Sequence, residues 1–242
     1  MKGVCEWSVI PMRAEPSDKS EMVNQVLMGE TYTILEVIEK WVRIRLEHDD
    51  YEGWIDRKQS SSVHLDHRPH PTTIQQPVII NNQFYPAGAW AEIPVLQTSF
   101  VTVEDCARSF LKTPYLWGGR THAGIDCSGF TQMVYRLMGM KIPRDASQQI
   151  LIEGAITLNF VSEAKPGDLA FFDNTEGKII HVGIILQVNE QFADIIHASG
   201  EVRVDQLDQE GILRDGQYSH RLRAIQHHPH LHQLWVERNA MM

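Results

Sequence analysis

Three residues of this chain, Cys127, His181 and His197, are of the types that together run nucleophilic attack on a carbonyl. Cys127 stands between a loop carrying Gly118, Gly119 and Gly124 and a stretch in which Phe130, Met133, Val134, Leu137 and Met138 recur at helical spacing. That spacing predicts a core-facing helix starting at Cys127, with Asp126 as its N-cap. Unpaired N–H groups and the positive dipole end there favour a thiolate, the reactive form of cysteine. The glycines let the loop reach positive φ and bring another backbone close.

A thiol also needs a base. His181 opens H-V-G-I-I-L-Q-V and His197 sits in I-I-H-A-S-G, two strand-like runs separated by Asn189 to Gln191, a hairpin spacing. If Val188 pairs with Phe192, His197 lies opposite Gly183, which leaves the imidazole room, and His181 is its diagonal neighbour on the same face. A shift of one residue would put the two histidines on opposite faces. In the favourable register His181 takes the Cys127 proton, leaving an imidazolium that holds the thiolate. His197 binds the other ring nitrogen of His181, and backbone N–H groups at the helix start, including that of Cys127, receive the oxyanion.

The elements that must position these residues fall in two regions. Up to about residue 57 the strand-like runs Val23 to Leu27, Tyr32 to Ile38, Trp41 to Leu46 and Tyr51 to Ile55 alternate with turns, as in a small barrel. Residues 58–98 read as a linker with a possible second small β unit. His64, His67 and His70 there are exposed linker histidines rather than metal ligands. Residues 99–228 form the catalytic region. Thr102 to Lys112 reads as a helix with Cys106 on its buried face, and K-I-P-R-D-A-S-Q-Q as a turn into a short helix. The runs G-D-L-A-F-F-D, H-V-G-I-I-L-Q-V and Q-F-A-D-I-I-H-A-S-G read as strands. Helices first and strands afterwards make the class α+β. Residues 229–242 are a histidine-bearing tail.

Composition excludes several partners. The chain has 242 residues, a net charge of −9 and 22% charged residues, with no basic stripe to displace counterions from nucleic acid. No run of 18 apolar residues is present to cross a membrane. Glu6 interrupts the N-terminal apolar residues, so no signal peptide is expected. Cys5, Cys106 and Cys127 form neither a C-x-x-C pair nor an even set, which suits a reducing cytoplasm. A monomer without metal or cofactor is expected.

The arrangement is that of papain-like hydrolases, and P-Y-L-W-G-G, G-I-D-C-S-G-F, I-P-R-D-A-S-Q-Q, G-D-L-A-F-F, H-V-G-I-I and I-I-H-A-S-G, in that order, resemble the NlpC-type cell-wall cysteine peptidases over about residues 100 to 225. The run from Gly29 to Leu46 with Y-E-G-W-I-D resembles a bacterial SH3-like domain. The resemblance implies helices packed on an antiparallel sheet, preceded by an all-β SH3-like barrel. It implies cleavage of the γ-D-glutamyl–diamino acid bond of murein peptides, with Cys127, His181 and His197 as the triad. The two-domain combination is similar to a subgroup that acts on L-Ala-γ-D-Glu-diamino acid peptides with a free amine, in murein peptide recycling. For that subgroup Asp126, Glu21 and Tyr51 match amine-binding positions, and Tyr115, Ser128 and Ser147 match the cleft lining. Alternatives are amide or acyl transfer by the same Cys–His pair on another substrate, or a wall-peptide binding module with a vestigial catalytic half.

Overall fold

The computed structural model describes residues 1–61, 72–91, 100 and 102–229. His64, His67, His70, residues 92–98 and the tail beyond 229 lie outside them. The chain divides into two compact units, Met1–Ser99 with Leu116–Gly124, and Phe100–Tyr115 with Ile125–Met242.

In the first unit, β1 (Lys2–Val4), β2 (Val9–Arg13), β3 (Met22–Leu27), β4 (Thr31–Val37), β5 (Trp41–Leu46) and β6 (Glu52–Asp56) form one antiparallel sheet in the order β1-β4-β5-β6-β2-β3. Alternation drives it: Val42, Ile44 and Leu46 of β5 are buried while Arg43 and Arg45 are exposed. Ile10, Met12, Val26, Tyr32 and Ile55 complete the core. The sequence reading did not delimit β1 and β2, which are short and, in β2, interrupted by Pro11.

A smaller element follows, in which β7 (Thr72–Thr73) pairs with β10 (Trp90–Ala91), and β8 (Val78–Ile80) with β9 (Gln83–Tyr85). Asn81 and Asn82 join β8 to β9 with φ of 51° and 63°. Two successive left-handed residues make the tight hairpin whose twist matches the strands, and asparagine tolerates that region. Met28, Ile74 and Ala89 form its small core.

The glycine-rich stretch Leu116–Gly124 belongs with this unit. Gly118 has φ 75°, and a Cβ on it would lie 2.4 Å from the Met22 carbonyl oxygen, so the expected close backbone approach is what glycine permits here. Arg120 N–H donates to Gln25 Oε1 at 2.7 Å, and its guanidinium meets both Glu30 carboxylate oxygens at 3.1 and 3.0 Å. Both side chains of that ion pair are fully buried.

The second unit is strand-rich with few helices. α1 (Val103–Arg108) starts where Thr102 accepts from Asp105 N–H at 3.0 Å. It is shorter than the 102–112 expected, because turns replace the last residues and Lys112 takes φ 68°. Cys106 is fully buried, as its place in the apolar stripe required. After the short strands β11 (Arg120–Thr121), which lies in the first unit, and β12 (Gly124–Ile125), the second unit continues with α2 (Cys127–Leu137) and α3 (Ala146–Gln149). The stripe of α2 is buried as expected, but so are Thr131, Gln132 and Tyr135. Thr131 Oγ1 donates to Gln149 Oε1 of α3 at 2.8 Å, which satisfies polar atoms that a stripe argument would place in water.

Seven antiparallel strands complete the unit: β13 (Ile156–Leu158), β14 (Leu169–Asp173), β15 (Ile179–Val188), β16 (Ala193–Ser199), β17 (Glu201–Leu207), β18 (Gly211–Arg214) and β19 (Gln217–His227). Their order is β13-β19-β14-β15-β16-β17-β18, and β18 also pairs with β19, so the sheet closes on itself. Closure leaves β13, paired only with β19 among the described residues, as the edge strand of this sheet. α2 lies against β15 and β16, the strands that carry the two histidines.

Candidate active site

Asp126 is extended (φ −94°) and its carboxylate accepts from Gly129 N–H at 2.6 Å, so the predicted N-cap is realised and Cys127 is the first residue of α2. The Cys127 sulfur is buried, held by the backbone N–H groups of Val182 and Ser128. His181 is the residue next to Val182, on β15. Its Nε2 lies 2.7 Å from Nδ1 of His197 on β16, and His197 Nε2 lies 3.0 Å from Oδ2 of Asp205 on β17. Arg203 donates to both oxygens of Asp205 at 2.7 Å. His220 of β19 stacks on His181, with ring centroids 4.2 Å apart and 23° between planes.

The two histidines share a face by a route the hairpin alone would not give. Val188 pairs with Ala193, not Phe192, because Asn189 N–H donates to Phe192 O at 2.9 Å inside the turn. Carried along β15 unchanged, that register would put His181 and His197 on opposite faces. A bulge between Ile185 and Gln187 shifts it by one, so Ile185 pairs with Ile195 and Ile184 with Ile196. His197 then falls opposite Gly183. A Cβ on Gly183 would lie 2.9 Å from the His197 Cβ and 2.8 Å from Ile195 Cδ1. Gly183→Ala should therefore push His197 off its partners, lowering kcat by about tenfold with KM little changed and costing about 1–3 kcal/mol of stability by overpacking. Steady-state kinetics and a thermal melt of the variant check this, and a wild-type kcat would contradict it.

Burial opposes the charged forms of both Cys127 and His181. Burial first, and then the Asp126 charge, push the Cys127 thiol up to about 12, against the Val182 and Ser128 N–H groups and Arg144. Burial, with His197 and His220 beside it, holds His181 well below the ordinary imidazole range. Both effects favour neutral thiol and neutral imidazole over the resting imidazolium–thiolate pair expected from the sequence. For Asp205, burial acts to raise its pKa, but the bonds and charges of His197 and Arg203 outweigh it and hold the carboxyl at about 2.

Residues 112–219 match the NlpC/P60 family, and residues 12–59 match the bacterial dipeptidyl-peptidase Sh3 domain. The gamma-D-glutamyl-L-lysine dipeptidyl-peptidase of Bacillus subtilis (strain 168) is 30% identical over 204 residues, covering 66% of this chain and 68% of that protein. The chain belongs to the NlpC/P60 family. Dipeptidyl-peptidase 6 of Lysinibacillus sphaericus is 26% identical over 253 residues, covering 81% of this chain and 88% of its own. A crystal structure of an NlpC/P60 family protein from Bacillus cereus ATCC 10987 shares the fold, with a TM-score of 0.74 at 18% identity over 94% of this chain and 99% of its own.

In this NlpC/P60 peptidase the remaining expected site residues are placed unevenly. Asp126, besides capping α2, receives Arg144 in a two-pronged ion pair, Nη2 to Oδ2 at 2.6 Å and Nη1 to Oδ1 at 3.0 Å. Asp126 thus already has one cation beside it, which fixes the orientation of its carboxylate. Ser128 Oγ accepts from the same Arg144 at 2.9 Å, so its hydroxyl is engaged within this network. Tyr115 is half-buried, and its hydroxyl is raised by burial and by the proximity of Cys127 and Asp126. Ser147 is exposed on α3. In the first unit Glu21 is exposed, and Tyr51 packs on the barrel core.

Sequence reasoning missed Arg144, Asp205, Arg203 and His220. Alternation in E-V-R-V-D-Q-L could have supplied Asp205, since His197 pairs with Arg203 and Asp205 is its diagonal neighbour. The strand reading stopped at Gly200, one residue before β17. Nothing local marks His220.

Proposed function

We propose that this chain is a cysteine peptidase that hydrolyses the γ-D-glutamyl–diamino acid bond of murein-derived peptides whose N-terminal L-Ala amine is free. The observation that carries the chemistry is the chain of contacts from Cys127, at the start of buried α2, past Val182 to His181, His197 and Asp205. Cys127 attacks the γ-carbonyl carbon as its proton passes to His181. The N–H groups that open α2 meet the developing oxyanion. His181 then returns the proton to the leaving amine, and water releases the acyl group from sulfur.

The substrate assignment is supported by the names of two relatives, both dipeptidyl-peptidases, one of them specified as gamma-D-glutamyl-L-lysine. Release of a dipeptide requires that the chain end be read. A free α-ammonium entering a partly dry cleft must be paired, or its desolvation costs several kcal/mol. Asp126, held in one orientation by Arg144, is the carboxylate adjacent to the nucleophile. A free-amine requirement suits released wall peptides, so we place the reaction in recycling, in the cytoplasm.

The test is a pair of synthetic peptides, L-Ala-γ-D-Glu-L-Lys and its N-acetyl analogue, followed by mass spectrometry. The free-amine peptide should exceed the acetylated one by about a hundredfold in kcat/KM, equivalent to about 3 kcal/mol. Comparable cleavage of the acetylated peptide, or of intact sacculi, would sink the free-amine reading. Cleavage of neither would sink the substrate class.

A further inference from the structure

We propose that Asp205 is a positioning residue that sets the proton of both histidines and so leaves the Nδ1 lone pair of His181 as the base for Cys127. The proposal rests on the Cys–His reading of the site, not on which peptide is cleaved.

Arg203 donates Nε to Oδ2 and Nη2 to Oδ1 of Asp205, each at 2.7 Å. A carboxylate clamped in this way is ionised and can only accept. Its side chain is 7% exposed and that of His197 1%, so water does not compete freely for the bond between them. His197 Nε2, 3.0 Å from Oδ2, therefore carries a hydrogen. A neutral imidazole has one donor and one acceptor nitrogen, so His197 Nδ1 is left with a lone pair. It faces His181 Nε2 at 2.7 Å, and that nitrogen must donate. The remaining nitrogen of His181, Nδ1, then holds the lone pair that accepts the thiol proton. Without Asp205 the opposite arrangement becomes available. His197 would carry its hydrogen on Nδ1, His181 would accept at Nε2, and His181 Nδ1 would be protonated and useless as a base.

The other groups around His181 do not make this choice. His220 faces its ring plane, stacked at 4.2 Å, and offers no in-plane bond; its own Nδ1 lies 3.0 Å from Ser219 Oγ. Phe172 of β14, with ring centroids 5.7 Å away, contributes no polar atom. Arg203 acts on the histidines only through Asp205. When Cys127 gives up its proton, the new N–H forms on His181 Nδ1, and the positive charge is oriented toward the Asp205 carboxylate two bonds along. The closed sheet makes this economical: β15, β16 and β17 are successive neighbours, so one residue from each falls in line.

The test is long-range 1H–15N correlation spectroscopy on the full-length protein with 15N-labelled histidine, at mildly alkaline pH and without substrate. In the wild type both His181 and His197 should be Nε2–H tautomers. In Asp205→Ala both should become mixtures with substantial Nδ1–H, and kcat should fall by about a thousandfold while KM changes by less than about threefold. Asp205→Asn keeps a neutral acceptor, so it should retain the Nε2–H tautomers and about a tenth of the wild-type kcat. A wild-type His181 protonated on Nδ1, or tautomers unchanged in Asp205→Ala, would overturn the proposal, as would an asparagine variant as impaired as the alanine one. The wild-type spectrum needs no variant, so the proposal is exposed even where alanine unfolds the protein. Correct tautomers with no peptide cleaved would count against the proposed substrate alone.

Discussion

Cys127→Ala is expected to lower kcat/KM by at least about four orders of magnitude, more than about 5 kcal/mol of transition-state stabilisation, while leaving the fold intact. The side chain removed is small and the helix start survives, because the cap is made by Asp126 and not by the thiol. What is lost is the atom that forms the acyl intermediate, and no other cysteine can replace it: Cys5 is buried in the barrel core and Cys106 is fully buried against Val134. Cys127→Ser should fare little better. An alcohol is harder to deprotonate than a thiol, and His181, kept neutral by burial, offers no stronger base to compensate. Peptide hydrolysis measured with active-site-independent quantitation, beside circular dichroism of each variant, checks the result. An alanine variant retaining a tenth of the activity would remove Cys127 from the chemistry, and with it the whole reading of the site.

The second large effect concerns stability. Arg144 is 1% exposed and grips both oxygens of Asp126 as well as Ser128 Oγ. Arg144→Met should cost about 3–5 kcal/mol, because it strips a buried carboxylate of its guanidinium instead of removing the pair. Asp126→Asn alone leaves the guanidinium without its counter-charge, though the amide oxygen still caps α2. The double variant Asp126→Asn/Arg144→Met removes both charges and should be more stable than the sum of the single costs implies, by about 2 kcal/mol. Urea denaturation of the four proteins closes this cycle. Strictly additive costs would show that the ion pair is not coupled. Loss of activity in Arg144→Met beyond the loss of folded protein would show in addition that the pair holds the start of α2 in register with Val182.

How much of this was legible in the chain itself depends on whether the signal was local. The sequence by itself determined the nucleophile's setting. Asp126 followed by the Phe130–Met138 stripe specifies where α2 starts and which face it buries, since capping and periodicity act within a few residues. It also specified β3 to β6 of the first unit, whose alternation is period-two and short-range, and it marked Gly118 and Gly183 as places where something comes close. Tertiary structure decided the rest. The register of the catalytic hairpin turned on a bulge at Leu186, a shift set by the pairing of both strands and invisible in either. The partner of Asp126 is Arg144, eighteen residues on, and a buried ion pair is satisfied only once helix and turn are packed. Asp205 and Arg203 join the site because β17 pairs directly with β16, and His220 because β19 and β15 flank the same strand, β14; such pairings between strands are made only in the folded sheet. Burial opposes the thiolate that the helix terminus alone would favour, because desolvation depends on everything packed around a group and the dipole only on the helix that carries it.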